Sequence, residues 1–191
     1  MATTTINASK QTWARSGTQS SWSAARDATS SLTHTNYTTT QVNNASAIRE
    51  YYDSGRKGDA YIVRRSFFFF DTSTIDGTIT AISLKIQGVT NGGNNVRVAK
   101  STAYGGGGGS AYANSDFDGW TTTNGLIPTP YNASSYSWTT STNTITLNAT
   151  AISNANSDDY LNLVVVGGNY DYPDTETVSY THLTLPTKRI V

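Results

Sequence analysis

The sequence predicts an all-β chain, a jelly-roll-like antiparallel β-sandwich folded as a single domain, and three observations carry that expectation. Its 191 residues are 36% hydrophobic but only 14% charged, and abundant Thr, Ser, Asn, Gly and Tyr favour short strands joined by turns. Apolar and polar residues alternate with period two in several stretches. Clusters of Gly, Pro and Asn then interrupt these stretches at intervals typical of a sandwich. A chain of this length buries a real core as one unit.

The elements follow in order. Residues 3–8 read as a strand near an edge, and residues 45–52 as a short helix. Residues 64–86, RRSFFFFDTSTIDGTITAISLKI, hold four consecutive phenylalanines in an otherwise polar chain. In a strand, Phe67 and Phe69 point to one face and Phe68 and Phe70 to the other, so this element belongs in the middle of a sheet. Burying each ring contributes roughly 1.5–3 kcal/mol. Ile82, Leu84 and Ile86 alternate with polar residues, as do Val96 and Val98, and Ile145, Leu147 and Ala149. Residues 161–166 are continuously apolar, the pattern of a central strand covered on both sides, and Gly167 and Gly168 end it. Residues 149–156 are the second helical piece. The predicted core is Phe67, Phe68, Phe69, Phe70, Ile82, Leu84, Ile86, Leu163 and Val165. Turns fall at Asp76-Gly77 and in residues 91–95, 105–109 and 127–130.

Several functions are set aside by composition. There is no cysteine, so neither disulfides nor thiolate-bound zinc contributes. The formal net charge is zero and the basic residues are scattered, which argues against a nucleic-acid partner. The N-terminal stretch has no basic and apolar signal pattern, and no segment is apolar for long enough to span a bilayer. The expectation is a chain without membrane insertion, made without a secretory signal.

The search for chemistry yields little. Nucleophilic catalysis needs a base, and His34, in a polar Thr-His-Thr-Asn-Tyr stretch, reads as a surface histidine. The carboxylates form no glycosidase pair that the sequence identifies, so no enzyme is expected. Asp116 and Asp118, alternating before Gly119, are weak candidate ligands for calcium, a hard cation that favours oxygen. Asp171 and Asp174, flanking Pro173, could add oxygens, but the fuller ligand pattern is missing and an Asx-turn with solvated carboxylates accounts for the spacing; no cofactor is expected, with calcium the one cation this spacing admits. Aromatic residues in Gly-, Asn- and Ser-rich loops are the better binding candidates. Trp120, Tyr104, Tyr112 and Tyr172 are chosen because an exposed ring stacks on the apolar face of a sugar or fills an assembly interface; aromatics also close the ends of sandwich cores, and for any one of these residues that structural role is the commoner one. Trp120 is the first choice.

Arg65, residues 69–73 (Phe-Phe-Asp-Thr-Ser), Ile75, Gly77, Ile79, Thr80 and Leu84 together resemble the aromatic strand and turn of DNRLRE and carbohydrate-binding-module-like β-sandwich domains. Trp22 and Arg26 resemble the Trp-x-x-x-Arg of phage-encoded relatives. Such domains occur in phage virion proteins and in cell-surface and polysaccharide-active proteins. The resemblance implies a module for attachment or assembly; because the N-terminal stretch carries no secretory signal pattern, the expectation is a non-catalytic, tail-associated virion module, receptor- or glycan-binding in character. Its partners would be other virion proteins or surface glycans, and oligomers fit such a role. The alternative is a carbohydrate-binding module of a secreted or cell-surface protein, which would place it outside the cell or on its surface rather than in the virion; a purely structural decoration domain without any ligand fits the sequence nearly as well.

Residues 178–187, VSYTHLTLPT, resemble instead the conceptual translation of a transposase-based sequencing adapter. The expected division is therefore a β-sandwich module over residues 1–177, truncated at its C-terminus by at least one strand, and a non-biological tail over residues 178–191.

Overall fold

The computed structural model describes residues 3–30, 32–37, 49–55, 58–88, 95–120, 129–132 and 136–176. Among them, the strands are β1 (Lys10–Arg15), β2 (Thr33–Tyr37), β3 (Arg49–Gly55), β4 (Gly58–Asp71), β5 (Ser83–Gln87), β6 (Asn95–Lys100), β7 (Tyr136–Ser137), β8 (Thr142–Thr146) and β9 (Tyr160–Gly167). Helix α1 (Trp22–Arg26) lies between β1 and β2, and α2 (Ala149–Asp158) between β8 and β9. The fold is all-β with antiparallel pairing throughout these strands. The large sheet has the order β2-β1-β4-β9-β6-β7, with β3 paired to the first half of β4, and β5 and β8 form a separate two-stranded ribbon.

Strand β4 is the spine. Residues 64–69 pair with β1 on one side, while residues 66–71 pair with β9 on the other. The alternation of the phenylalanines delivers them to two cores. Phe67 and Phe69 join Val63, Ala14, Ala99, Val164, Val166 and the loop aromatics in the first cluster. Phe68 joins Leu84, Ile86, Val96, Val98, Ile145, Leu161, Leu163 and Val165 in the second, between the large sheet and the ribbon. Phe70 and Ile82 are half-buried rather than enclosed, packed on the rim of that second cluster. The rest of the predicted core is buried.

The motif after the phenylalanines closes the strand. The Asp71 carboxylate accepts hydrogen bonds from the Ser73 hydroxyl at 2.6 Å and the Ser73 amide at 3.0 Å, an Asx-turn. These bonds hold the exposed Asp71 carboxyl below its usual range, the hydroxyl contributing most. Thr72 ties the turn to α2, its amide donating to Asp159 C=O at 2.9 Å and its hydroxyl to Ala155 C=O at 3.1 Å. Helix α2 starts where Asn148 accepts from the amides of Thr150 and Ala151, and ends at Asp159 in the left-handed region, φ +59°. Ala151 and Ala155 form its buried stripe.

Three expectations need correction. The helix expected over residues 45–52 is not formed where it is described: residues 49–52 belong to β3, because pairing with β4 completes their backbone hydrogen bonds; residues 45–48 lie outside the described residues. Residues 3–8 are not a strand, since ladder pairing with β4 begins only at Lys10. Ala149 does not continue β8, because the Asn148 cap turns the chain into α2. The division at residue 177 and the tail 178–191 lie outside the described residues, as do most of the turns at 91–95 and 127–130. No helix of the described residues is long and apolar enough to cross a membrane.

Phe67→Ala and Phe68→Ala empty different cores, and each is expected to cost about 3–5 kcal/mol, measured by urea denaturation. A loss below about 1 kcal/mol for either would contradict the two-core role of β4.

Candidate functional site

One face of the large sheet is covered by α1, by the loop of residues 101–120 and by the segment 168–176 that follows β9. All three meet at Arg65. This residue projects from the middle of β4 and is 0% exposed, as is Asp171. Its Nε donates to Asp171 Oδ2 at 2.8 Å and its Nη2 to Asp171 Oδ1 at 2.7 Å, a two-pronged pair. Nη2 also donates to the carbonyl of Arg26 at the end of α1, 2.8 Å, and Nη1 to the carbonyl of Phe117, 2.7 Å. The guanidinium lies over the Phe117 ring at 4.3 Å and the Trp120 ring at 5.1 Å. Burial works against the charge on Arg65, but the Asp171 carboxylate outweighs it and the guanidinium's pKa is raised. A charge this deep is tolerated only because almost every donor has an acceptor in good geometry.

A second tier surrounds this pair. Trp22 and Arg26 stand one helical turn apart on α1. Trp22 Nε1 donates to Asp174 Oδ1 at 3.2 Å, and Arg26 Nε donates to the Asp171 carbonyl at 3.1 Å while lying 3.3 Å from Asp174 Oδ1. Asp174 sits in the left-handed region at φ +53°, a conformation Asp tolerates better than most residues. Tyr61 donates its hydroxyl to Glu176. The segment 168–176 is thereby strapped down through each of its acidic residues, Asp171 and Glu176 to β4 and Asp174 to α1.

The structure places the four aromatic candidates differently from the exposed rings expected of them. Trp120, Tyr104 and Tyr112 are buried at 3%, 2% and 6% exposure, because the polar loop carrying them folds its aromatics inward to cover Phe67 and Phe69. Tyr104 packs on Phe69 and on Tyr112, which packs in turn on Phe67 and His34. Tyr172 alone stays partly exposed, and its ring already stacks with Trp120 and lies beneath Arg97 at 5.2 Å. These rings build the loop rather than present a platform. Among the described residues the indole Nε1 of Trp120 meets no hydrogen-bond acceptor, and the residue is held by ring contacts.

The carboxylates are likewise engaged. Asp116 Oδ2 accepts from the amides of Ala113 at 2.9 Å and Tyr104 at 3.1 Å, fixing a 3-10 turn over Asn114–Phe117 and the positive φ of Tyr104. Asp118 Oδ1 lies 3.9 Å from Arg65 Nη1. Among the described residues no three His, Asp or Glu side chains are grouped as metal ligands. His34 is exposed on β2.

The glycine run of residues 105–109 has a packing role. Gly108 adopts φ +78°, and a Cβ there would sit 2.4 Å from the Phe69 ring. Asn162, buried in β9, donates to the carbonyls of Ala103 at 2.6 Å and Gly106 at 3.1 Å and holds this loop down. Lys10 donates to the carbonyls of Gly108 and Ser110 from the other side.

Sequence reasoning singled out Arg65 and Arg26 through the family pattern but gave neither a role, and it missed Asp171 as their partner. The signal for Asp171 is faint: one acid in a Tyr-Asp-Tyr-Pro-Asp stretch, distant in sequence from any cation it meets. No family model matches the chain, and no curated protein and no solved structure matches it.

Three outcomes follow from this geometry. Arg65→Met or Asp171→Leu alone, leaving one buried charge unpaired, is expected to cost about 3–5 kcal/mol, and the double variant to recover most of that in urea denaturation. Trp120→Ala is expected to destabilise by about 3–5 kcal/mol, whereas Trp120→Phe, which retains a ring against Tyr172 and Arg65, is expected to lose clearly less. Burial raises the hydroxyl pKa of both Tyr104 and Tyr112, with Asp116 adding to the effect and Thr12 and Arg65 respectively opposing it. Both therefore keep their protons in the folded state where an unfolded tyrosine ionises, near pH 10. The folded state then binds more protons, so stability falls as pH rises above about 10. Tyr112→Phe is expected to make that decline shallower in denaturation curves taken from pH 8 upward.

Proposed function

We propose that this chain is a non-catalytic structural and attachment module of a phage virion, associated with the tail. The observation that supports it most is the inward turn of the loop side chains. Trp120, Tyr104, Tyr112 and Asp171 fasten loops to the sheet and Asp116 braces the loop from within, which suits a rigid scaffold better than a site that must rearrange around a small substrate. Such a scaffold offers its surroundings exposed hydroxyl, amide and ammonium groups on paired strands. On the ribbon these are Ser83, Lys85 and Gln87 beside Thr146, Thr144 and Thr142, in register. Polar surfaces of this kind fit other virion proteins or surface glycans as partners. The resemblance of the β4 segment and of the Trp22–Arg26 pair to phage-encoded sandwich domains supports the same reading.

Immunogold labelling of purified virions from the source, with antibodies raised against this chain, tests the proposal. Gold particles on the tail are expected. A signal confined to the secreted fraction, on a polypeptide that also carries a polysaccharide-active domain, would overturn it in favour of the carbohydrate-binding alternative.

A further inference from the structure

Strands β1 and β9 both flank β4, and both run antiparallel to it. β1 begins opposite Phe69 and runs toward Arg64. The backbone then continues along β4, Ser16 donating to Val63 C=O at 2.9 Å and Gln19 and Tyr61 exchanging bonds at 3.1 and 2.9 Å. β9 begins opposite Asp71 and passes Ser66 before it ends. The segment preceding β1 therefore meets β4 at one end, and the segment following β9 departs at the other. Tension between those segments is directed along the strands. It slides β1 and β9 against β4 in opposite senses, so the rungs on both sides of β4 carry the load together. Pulling two neighbouring strands apart from one shared end instead breaks their rungs in succession.

Beyond β9 the tension first reaches residues 168–176, the segment pinned by Asp171 to Arg65, by Asp174 to Trp22 and Arg26, and by Glu176 to Tyr61. The innermost of these bonds is fully buried, where water does not compete for the donors. We infer that the sheet and this strap form a tension clamp: β4 held in shear between β1 and β9, with Arg65 locking the exit segment to the same strand. The property goes beyond attachment itself and does not depend on which surface the module meets.

Single-molecule force spectroscopy on the full chain tests it. One geometry uses handles appended at the two ends. The other uses Asp76→Cys and Ser157→Cys, exposed sites in a chain that has no other cysteine. Both sites lie near the shared end where Asp71 faces Tyr160, so this pull peels β4 from β9. The end-to-end pull is expected to rupture at the higher force, with the strap and sheet yielding in one event. Asp171→Asn is expected to add an early release of the nine residues 168–176, a lengthening of at most roughly 30 Å, before the sheet gives way. If that variant does not fold, Asp174→Asn, which suits the positive φ and weakens the outer fastening, is expected to lower the end-to-end force while leaving the cysteine-handle force unchanged. Equal forces in the two geometries, or an early strap release in the unaltered chain, would overturn the inference.

Discussion

The Arg65–Asp171 pair is the interaction on which the covered face of this molecule depends. Arg65 is placed by β4, the strand with neighbours on both sides, so the guanidinium cannot retreat to solvent without dismantling the sheet. Its donors reach the end of α1, the 3-10 turn and the segment after β9. Three pieces of chain far apart in sequence therefore share one acceptor requirement. Removing a buried charge's partner is costly even where the pair itself adds little net stability, so the value of this arrangement lies in specificity: alternative loop positions leave a buried guanidinium unsatisfied.

The same strand organises the rest. A central strand with aromatic residues at consecutive positions feeds both faces of its sheet, which is how a chain with few charged and moderately few apolar residues supports two cores. Phe69 then dictates the loop above it: Gly108 has no room for a side chain, and Tyr104 packs edge-on against the ring. The polar residues of the loops act as fasteners in the same scheme. Asn162 occupies a buried strand position and satisfies two loop carbonyls, and Asn143, also buried, donates to the carbonyls of Thr139 and Ser141 at 3.0 Å. Asn-rich composition here reflects backbone groups that the turns leave without strand partners.

Much of the fold was legible because periodicity reports burial directly. The alternations around Leu84, Val96 and Ile145 and the continuous run of β9 reappear as buried faces, and the helix after Asn148 carries its cap in the sequence. The edges were less legible. Residues 49–52 lack strong alternation and become a strand because β4 offers an open ladder, a tertiary effect that local pattern does not carry. The candidate site was less legible for a related reason. Trp120, Tyr104 and Tyr112 stand among glycines and serines, and polar neighbours leave both an exposed contact role and a core-closing role open. In this molecule the small residues let the backbone approach the sheet closely enough for the rings to be buried. Asp171 is legible only as a candidate oxygen donor to a cation; its ion pair is not, because nothing local distinguishes a carboxylate that will be sealed against an arginine 106 residues away.

Amide hydrogen exchange on Asp171→Asn, compared with the unaltered chain, tests most directly whether Arg65 unites the covering segments. The account expects joint loss of protection at Asp27, Gly119, Tyr172 and Thr175, which belong to α1, the 3-10 turn and the strap. Gly88 and Leu147, whose amides bond within the ribbon, are expected to stay protected. Loss confined to Tyr172 and Thr175, with Asp27 and Gly119 as protected as before, would contradict it.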